Sequence, residues 1–252
     1  MSRAARLVLI FTSLAPYLLV GAPARADSVD ILLVLAADVS RSIDNGEFEL
    51  QRKGYAAALA DPRVLKAIAS GPHLAIDLTY VEWSDAPEQQ IVVDWTRIGN
   101  GEDAAAVAAT ILKAPRSFAS RTAIGSAIDF SLQRLTAAKD GADKRIIDVS
   151  GDGTNNSGPP VSEARNRAAA AGVTINGLAI INTQAGPGFI MHTQPPGGLP
   201  EYYRQNVIGG SGAFLLQVEN FDTFAEALAR KLVSEIAALP NSGGSPILAE
   251  RH

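Results

Sequence analysis

The chain has 252 residues, 47% of them hydrophobic, and a formal net charge of −4. That is enough apolar material for one large α/β domain and excludes a disordered chain, while the acidic balance gives nucleic acid nothing to hold. Cysteine is absent, which excludes thiol catalysis, cysteine-ligated zinc, iron–sulfur sites and disulfide bridging.

At the N-terminus, Arg3 and Arg6 precede an apolar segment from Leu7 to about Ala22, and Ala24-Arg25-Ala26 supplies small residues for cleavage. This is the pattern of a secretory signal peptide, residues 1–26. Pro16 and the short apolar run argue against an uncleaved anchor. Its removal takes away three arginines and no acid, so 22 basic residues become 19 against 26 acidic ones, a net charge of −7. Export would place the mature protein in the periplasm or outside the cell, with the membrane involved only through the export signal. One domain over 27–239 and a flexible Gly/Ser/Pro-rich tail over 240–252 complete the expected division.

Residues 31–42 read ILLVLAADVSRS. The apolar run suits a strand covered on both faces, at the centre of a sheet. Asp38, Ser40 and Ser42 then follow at every second position, and residues two apart in extended chain point the same way. One carboxylate and two hydroxyls converge beyond the carboxyl end of the strand, where open α/β sheets place ligands. An ordinary Ser-rich turn reads equally well from this stretch alone.

Asp44 with Glu47 three residues on is a capping-box start for a helix to about Ala60, and Pro62 opens a second helical piece. Residues 74–83 and 89–95 are β-like, and the short link between them makes an antiparallel hairpin at one side of the sheet. Residues 103–113 are helical. A polar loop, 115–121, leads to a helix from about Thr122 to Ala138, with Ile124, Ile128, Leu132 and Leu135 on its apolar face. A strand over 145–150 runs into Gly151-Asp152-Gly153, and Pro159-Pro160 and Gly172 bracket the next helix. Strands over 173–181 and 213–218 flank a Gly/Pro-rich surface loop over 182–200, and Phe221, Phe224, Leu228, Leu232 and Ile236 line a final amphipathic helix. The alternation predicts a doubly wound, mostly parallel α/β sheet of about six strands, with one antiparallel edge hairpin and helices on both faces.

Three loops then gather on one edge: Asp38, Ser40 and Ser42 on the first, Thr122 on the second, Asp152 on the third. Thr122 alone reads as a helix N-cap and Asp152 alone as a turn aspartate. In this order on alternating βα units, the five residues resemble the metal-ion-dependent adhesion site of the von Willebrand factor A domain, the superfamily of integrin inserted domains. The resemblance covers roughly residues 29–238, and Val81-Glu82-Trp83-Ser84-Asp85 resembles the family's apolar-Phe-Ser hairpin. It is closest to an uncharacterised exported bacterial branch.

The resemblance implies that Asp38, Ser40, Ser42, Thr122 and Asp152 hold a divalent cation, whose open position takes a carboxylate from a protein partner. Hard oxygen donors suit Mg²⁺, or Mn²⁺ or Ca²⁺, better than zinc. Arg41, Arg121, His192, Tyr202 and Tyr203 are candidate residues of the surrounding binding surface. Two positions depart from the pattern. Gly151 stands where Thr or Ser is common, which loosens the loop and removes a hydroxyl. Asp148 stands where an apolar residue is usual; it supports the site from behind, lies at a strand edge, or is a buried acid paired with Arg145 or another base, the structural role being favoured.

The implied function is a non-enzymatic binding module. The alternatives are a metal-dependent hydrolase of phosphate or acyl esters and a docking domain with a vestigial site. The chain has no Gly-x-Ser-x-Gly and no Walker spacing in residues 153–158, and Ser40 stands where an aspartyl phosphatase would need its second aspartate. The sequence leaves the oligomeric state open.

Overall fold

A computed structural model describes residues 28–181, 195–219 and 221–237. The expected signal peptide, the tail, His192 and most of the 182–200 loop lie outside the described residues. Six strands form one sheet: β1 (Val29–Asp38), β2 (Ile76–Trp83), β3 (Gln89–Ile98), β4 (Ala142–Gly151), β5 (Thr174–Ile180) and β6 (Leu215–Val218). Their order is β3-β2-β1-β4-β5-β6. Every pairing is parallel except β2 with β3, so the expected hairpin occupies one edge.

All ten residues of β1 are buried, as the unbroken apolar run requires of a strand covered on both faces. Ile31, Leu33, Leu35 and Ala37 enter one core, and Leu32, Val34 and Ala36 enter the other. The first core is covered by α1 (Asn45–Leu59), α2 (Pro62–Ile68), α3 (Gly101–Lys113) and α7 (Phe224–Ala237); the second by α4 (Ile124–Ala137) and α5 (Val161–Ala170). α6 (Gly198–Tyr202) runs into a π-helical turn, Tyr203–Val207.

The sequence caps α1 as expected: Glu47 N–H donates to Asp44 Oδ1, and Asp44 N–H to Glu47 Oε2, each at 2.8 Å. Thr122, by contrast, caps nothing. α4 starts at Ile124 behind Ala123, with no side-chain cap, which leaves the threonine hydroxyl for other work.

The chain winds outward from β1 on one side and from β4 on the other. The carboxyl ends of these neighbours therefore flank the point where the strand order reverses, and loops leaving in opposite directions open a crevice there. Asp38 ends β1, and Asp152 follows β4 directly. Among the described residues no helix is long and apolar enough to cross a membrane.

Candidate metal centre

The five predicted residues meet in that crevice. Ser40 N–H donates to Asp38 Oδ1 at 2.7 Å, which folds the loop back on the end of β1. Ser40 Oγ lies 3.1 Å from Ser42 Oγ and 3.3 Å from Thr122 Oγ1, and Ser42 Oγ donates to Asp152 Oδ1 at 2.7 Å. Three loops distant in sequence are thus joined hydroxyl to hydroxyl to carboxylate.

Each loop is fixed from behind. Arg116 donates through Nη2 to the carbonyls of Val39, Ser40 and Ile43 at 3.0, 3.1 and 2.7 Å, clamping the Asp38–Ser42 turn. Its guanidinium also lies 5.0 Å from the Phe48 ring centre, and Arg52 lies 4.4 Å from the same ring. Arg52 in turn makes a buried ion pair with Glu82 at 2.7 Å and donates to the Pro115 carbonyl at 3.0 Å. Such a buried pair contributes position more than net stability, because desolvation offsets most of its attraction.

Ser84, the serine of the resembling hairpin, accepts from Ser120 N–H at 2.8 Å and donates to the Arg121 carbonyl at 3.0 Å. Thr122 N–H donates to Asn156 Oδ1 and Asn156 N–H to the Thr122 carbonyl, both at 2.9 Å. The second and third loops are therefore paired directly.

The crevice is electrostatically unfinished. Asp38 is fully buried, and its Oδ2 has no hydrogen-bond partner. Burial pushes its carboxyl well above the usual range, and the nearby charge of Asp152 pushes it further, against the Ser40 hydrogen bonds and Arg116. A buried carboxylate pair of this kind is stable only once a proton or a cation joins it.

Gly151 does not loosen the loop, as the sequence suggested. A Cβ there would lie 2.7 Å from the Tyr203 hydroxyl and 2.9 Å from Asp38 Oδ2. Glycine is what lets these groups close over the end of β4. Tyr203, expected on a binding surface, is fully buried beside the crevice. Its hydroxyl has no partner, and burial, then Asp38 and Asp152, push its pKa up. The π-helical turn tucks its ring under the sheet's second core, against the half-buried Tyr202. The Tyr202 hydroxyl accepts from Asn155 N–H at 3.1 Å. Arg41 and Arg121 are exposed.

Asp148 does not pair with Arg145. It is buried with Lys231 of α7, Oδ1 to Nζ at 2.5 Å. Arg116 and Lys231 were not foreseen, and Tyr203 was foreseen only as a binding-surface residue. Arg116 looked like any loop arginine, but Lys231 falls three residues after Leu228 on the apolar stripe of the last helix, a legible signal of a buried cation.

The donor set is all oxygen, with Asp38 Oδ2 lacking a hydrogen-bond partner and a glycine-made cradle around it. It fits a hard divalent cation.

The same fold recurs in solved structures. Proximal thread matrix protein 1 from the mussel byssus, in a structure with a zinc-occupied MIDAS motif, is 17% identical with a TM-score of 0.57, over 85% of this chain and 49% of that one. A von Willebrand factor type A protein from Catenulispora acidiphila is 14% identical with a TM-score of 0.59, over 83% of this chain and 43% of that one. The conserved hypothetical protein BatB from Bacteroides thetaiotaomicron is 17% identical with a TM-score of 0.56, over 82% of this chain and 98% of that one. The chain spans about half the length of the mussel protein. No curated protein matches it. The family model described as "protein of unknown function (DUF1194)" matches residues 28–240, and the chain belongs to that family, with the von Willebrand factor A fold.

Proposed function

We propose that the chain is an exported binding module. Asp38, Ser40, Ser42, Thr122 and Asp152 hold a divalent cation, Mg²⁺ or else Mn²⁺ or Ca²⁺, and the cation's open position takes a carboxylate of a protein partner. The observation that carries this reading is Asp38, a fully buried acid with an unpartnered oxygen in a hydroxyl-lined crevice. Three neutral hydroxyls against two carboxylates leave a bound cation electrophilic enough to attract a further acid. The exposed Arg41 and Arg121 add local positive charge on an otherwise acidic protein. Ser40 and Ser42 hydrogen-bond to each other, Ser42 donates to Asp152 and Thr122 to Ser40, so the hydroxyl oxygens converge as a set of ligands would. Part of the pilus adhesin SpaC from Lactobacillus rhamnosus GG has this fold, 13% identical with a TM-score of 0.57 over 84% of this chain and 32% of that one, and that protein's name denotes adhesion. The signal-like pattern in residues 1–26 supports export to the periplasm or beyond.

Calorimetric titration of the full chain with Mn²⁺ and Mg²⁺ tests the reading. One ion per chain is expected, lost in Asp38→Ala/Asp152→Ala. No binding by the wild type, or equal affinity in the double variant, rejects it. Capture of exported partners with and without chelator then tests the carboxylate step.

A further inference from the structure

A second cluster of potential ligands lies at the other end of β1. Asp30, His73 and Asp143 each present one donor atom, and the three atoms lie within 4.8 Å of one another. Asp30 and Asp38 are eight residues apart on one strand, roughly 26 Å in extended chain, so the two clusters share no residue and no loop.

The sheet builds this cluster as deliberately as the other. Val29 pairs with Ala142 and Ile31 with Lys144, which sets Asp30 level with Asp143 on the neighbouring strand. On the other side, Asp30 N–H donates to the Ala75 carbonyl at 2.9 Å, anchoring the turn that carries His73. His73 N–H donates to Asp30 Oδ1 at 2.9 Å. Asp30 is fully buried, and its Oδ2 has no hydrogen-bond partner. The carboxylate packs on Gly71, where a Cβ would come within 2.1 Å of Oδ2, so a glycine clears its space here too.

The spacing of the other two donors is informative. His73 Nε2 and Asp143 Oδ2 are 3.5 Å apart, longer than the 2.7–3.2 Å of an ordinary N–H···O bond. Two ligands at about 2.0–2.1 Å from one tetrahedral ion would be about 3.4 Å apart.

We propose that Asp30, His73 and Asp143 form a second metal site that takes a d-block divalent cation of the zinc class. One imidazole nitrogen and two carboxylates form a borderline donor set, unlike the all-oxygen set at Asp38. Three protein ligands leave a fourth position for water or an incoming group. The ion would bind together the amino ends of β1 and β4 and the turn before β2. The site does not depend on the reading of the Asp38 cluster.

The test is zinc and cobalt titration of the full chain. It compares wild type, Asp38→Ala/Asp152→Ala, His73→Ala and Asp143→Asn, with folding checked by circular dichroism. His73 and Asp143 are 32% and 47% exposed, so their substitution leaves the core intact. The Asp38/Asp152 double variant should retain one zinc per chain, and its cobalt form should show visible absorption of a nitrogen-containing site. In the otherwise wild-type chain, His73→Ala and Asp143→Asn should each remove one ion or weaken its binding at least tenfold. If the wild type takes a single zinc that His73→Ala abolishes, this site stands and the Asp38 cluster does not take zinc. A zinc stoichiometry and affinity unchanged by His73→Ala overturns the proposal. So does a folded Asp38/Asp152 variant that binds none.

Discussion

Asp148 of β4 and Lys231 of α7 form an ion pair, Oδ1 to Nζ at 2.5 Å, with side chains 2% and 0% exposed. Glu235, one turn further along α7, contacts the same ammonium and accepts from Asn176 Nδ2 at 2.7 Å. Two carboxylates and one ammonium are thus buried together, with a surplus negative charge. Burial acts against the Lys231 ammonium, but Asp148 and Glu235 outweigh it and hold its proton more tightly than usual. Burial raises the Asp148 carboxyl to about 7, against the pull of Lys231 and with the push of Glu235.

The sign of the pH dependence follows. Asp148 is protonated in the folded state at pH values where the unfolded chain has already released that proton. Its contribution is fully present below about pH 4 and is lost as pH rises to about 7, by at most about 4 kcal/mol. Asp148→Asn keeps the shape without the surplus charge. It should be at least as stable as the wild type at pH 7.5, with a flatter stability curve between pH 4 and 7 in urea titrations. Lys231→Met, which leaves two buried acids unpaired, should cost about 3–5 kcal/mol at pH 7.5.

Gly151→Ala should damage both fold and site. Its Cβ would meet the Tyr203 hydroxyl and Asp38 Oδ2 inside 3.0 Å, and overpacking of this sort costs about 1–3 kcal/mol. Mn²⁺ affinity should fall along with the denaturation midpoint. An unchanged midpoint would mean that Tyr203 yields more easily than its packing implies.

Arg116→Ala should release the Asp38–Ser42 turn. It removes donors from three carbonyls and a cation from the Phe48 face, for an expected loss of about 2–3 kcal/mol. Arg116→Lys should recover little, because one ammonium cannot reproduce the planar fork. Cation titration and urea denaturation of both variants provide the check.

Divalent cation should stabilise the fold. At a hundred times its dissociation constant, a bound ion adds about 2.7 kcal/mol. Melting scans should therefore show a higher midpoint with Mg²⁺ or Mn²⁺ and reversal by chelator. Asp38→Ala should show neither effect, since the buried carboxylate that the cation balances is gone.

The sheet was legible where local pattern and tertiary role agree. The apolar run of β1, the capping box at Asp44 and the short hairpin link are each short-range signals; the oxygen donors at Asp38, Ser40, Ser42, Thr122 and Asp152 were legible through the resemblance that their order carries, and the structure brings those five side chains together. What was not legible depends on partners far apart in the chain. Tyr203 reads as a loop tyrosine until the π-helical turn places it beside Asp38. Gly151 reads as a flexible residue until the distances to Asp38 and Tyr203 are known. His73 stands alone in sequence, with α1 and α2 between it and Asp30, and β2, β3, α3 and α4 between it and Asp143. Arg116 declares its role only through carbonyls on another loop.

The two guanidiniums over Phe48 have a further consequence. With no cysteine in the chain, the turn carrying Asp38 and Ser40 is fastened by charge, carbonyl and aromatic face, with no covalent cross-link. Such a fastening needs no oxidant to set it and no isomerase to correct it. The assembly of the crevice therefore does not depend on thiol oxidation, in a reducing or an oxidising compartment alike.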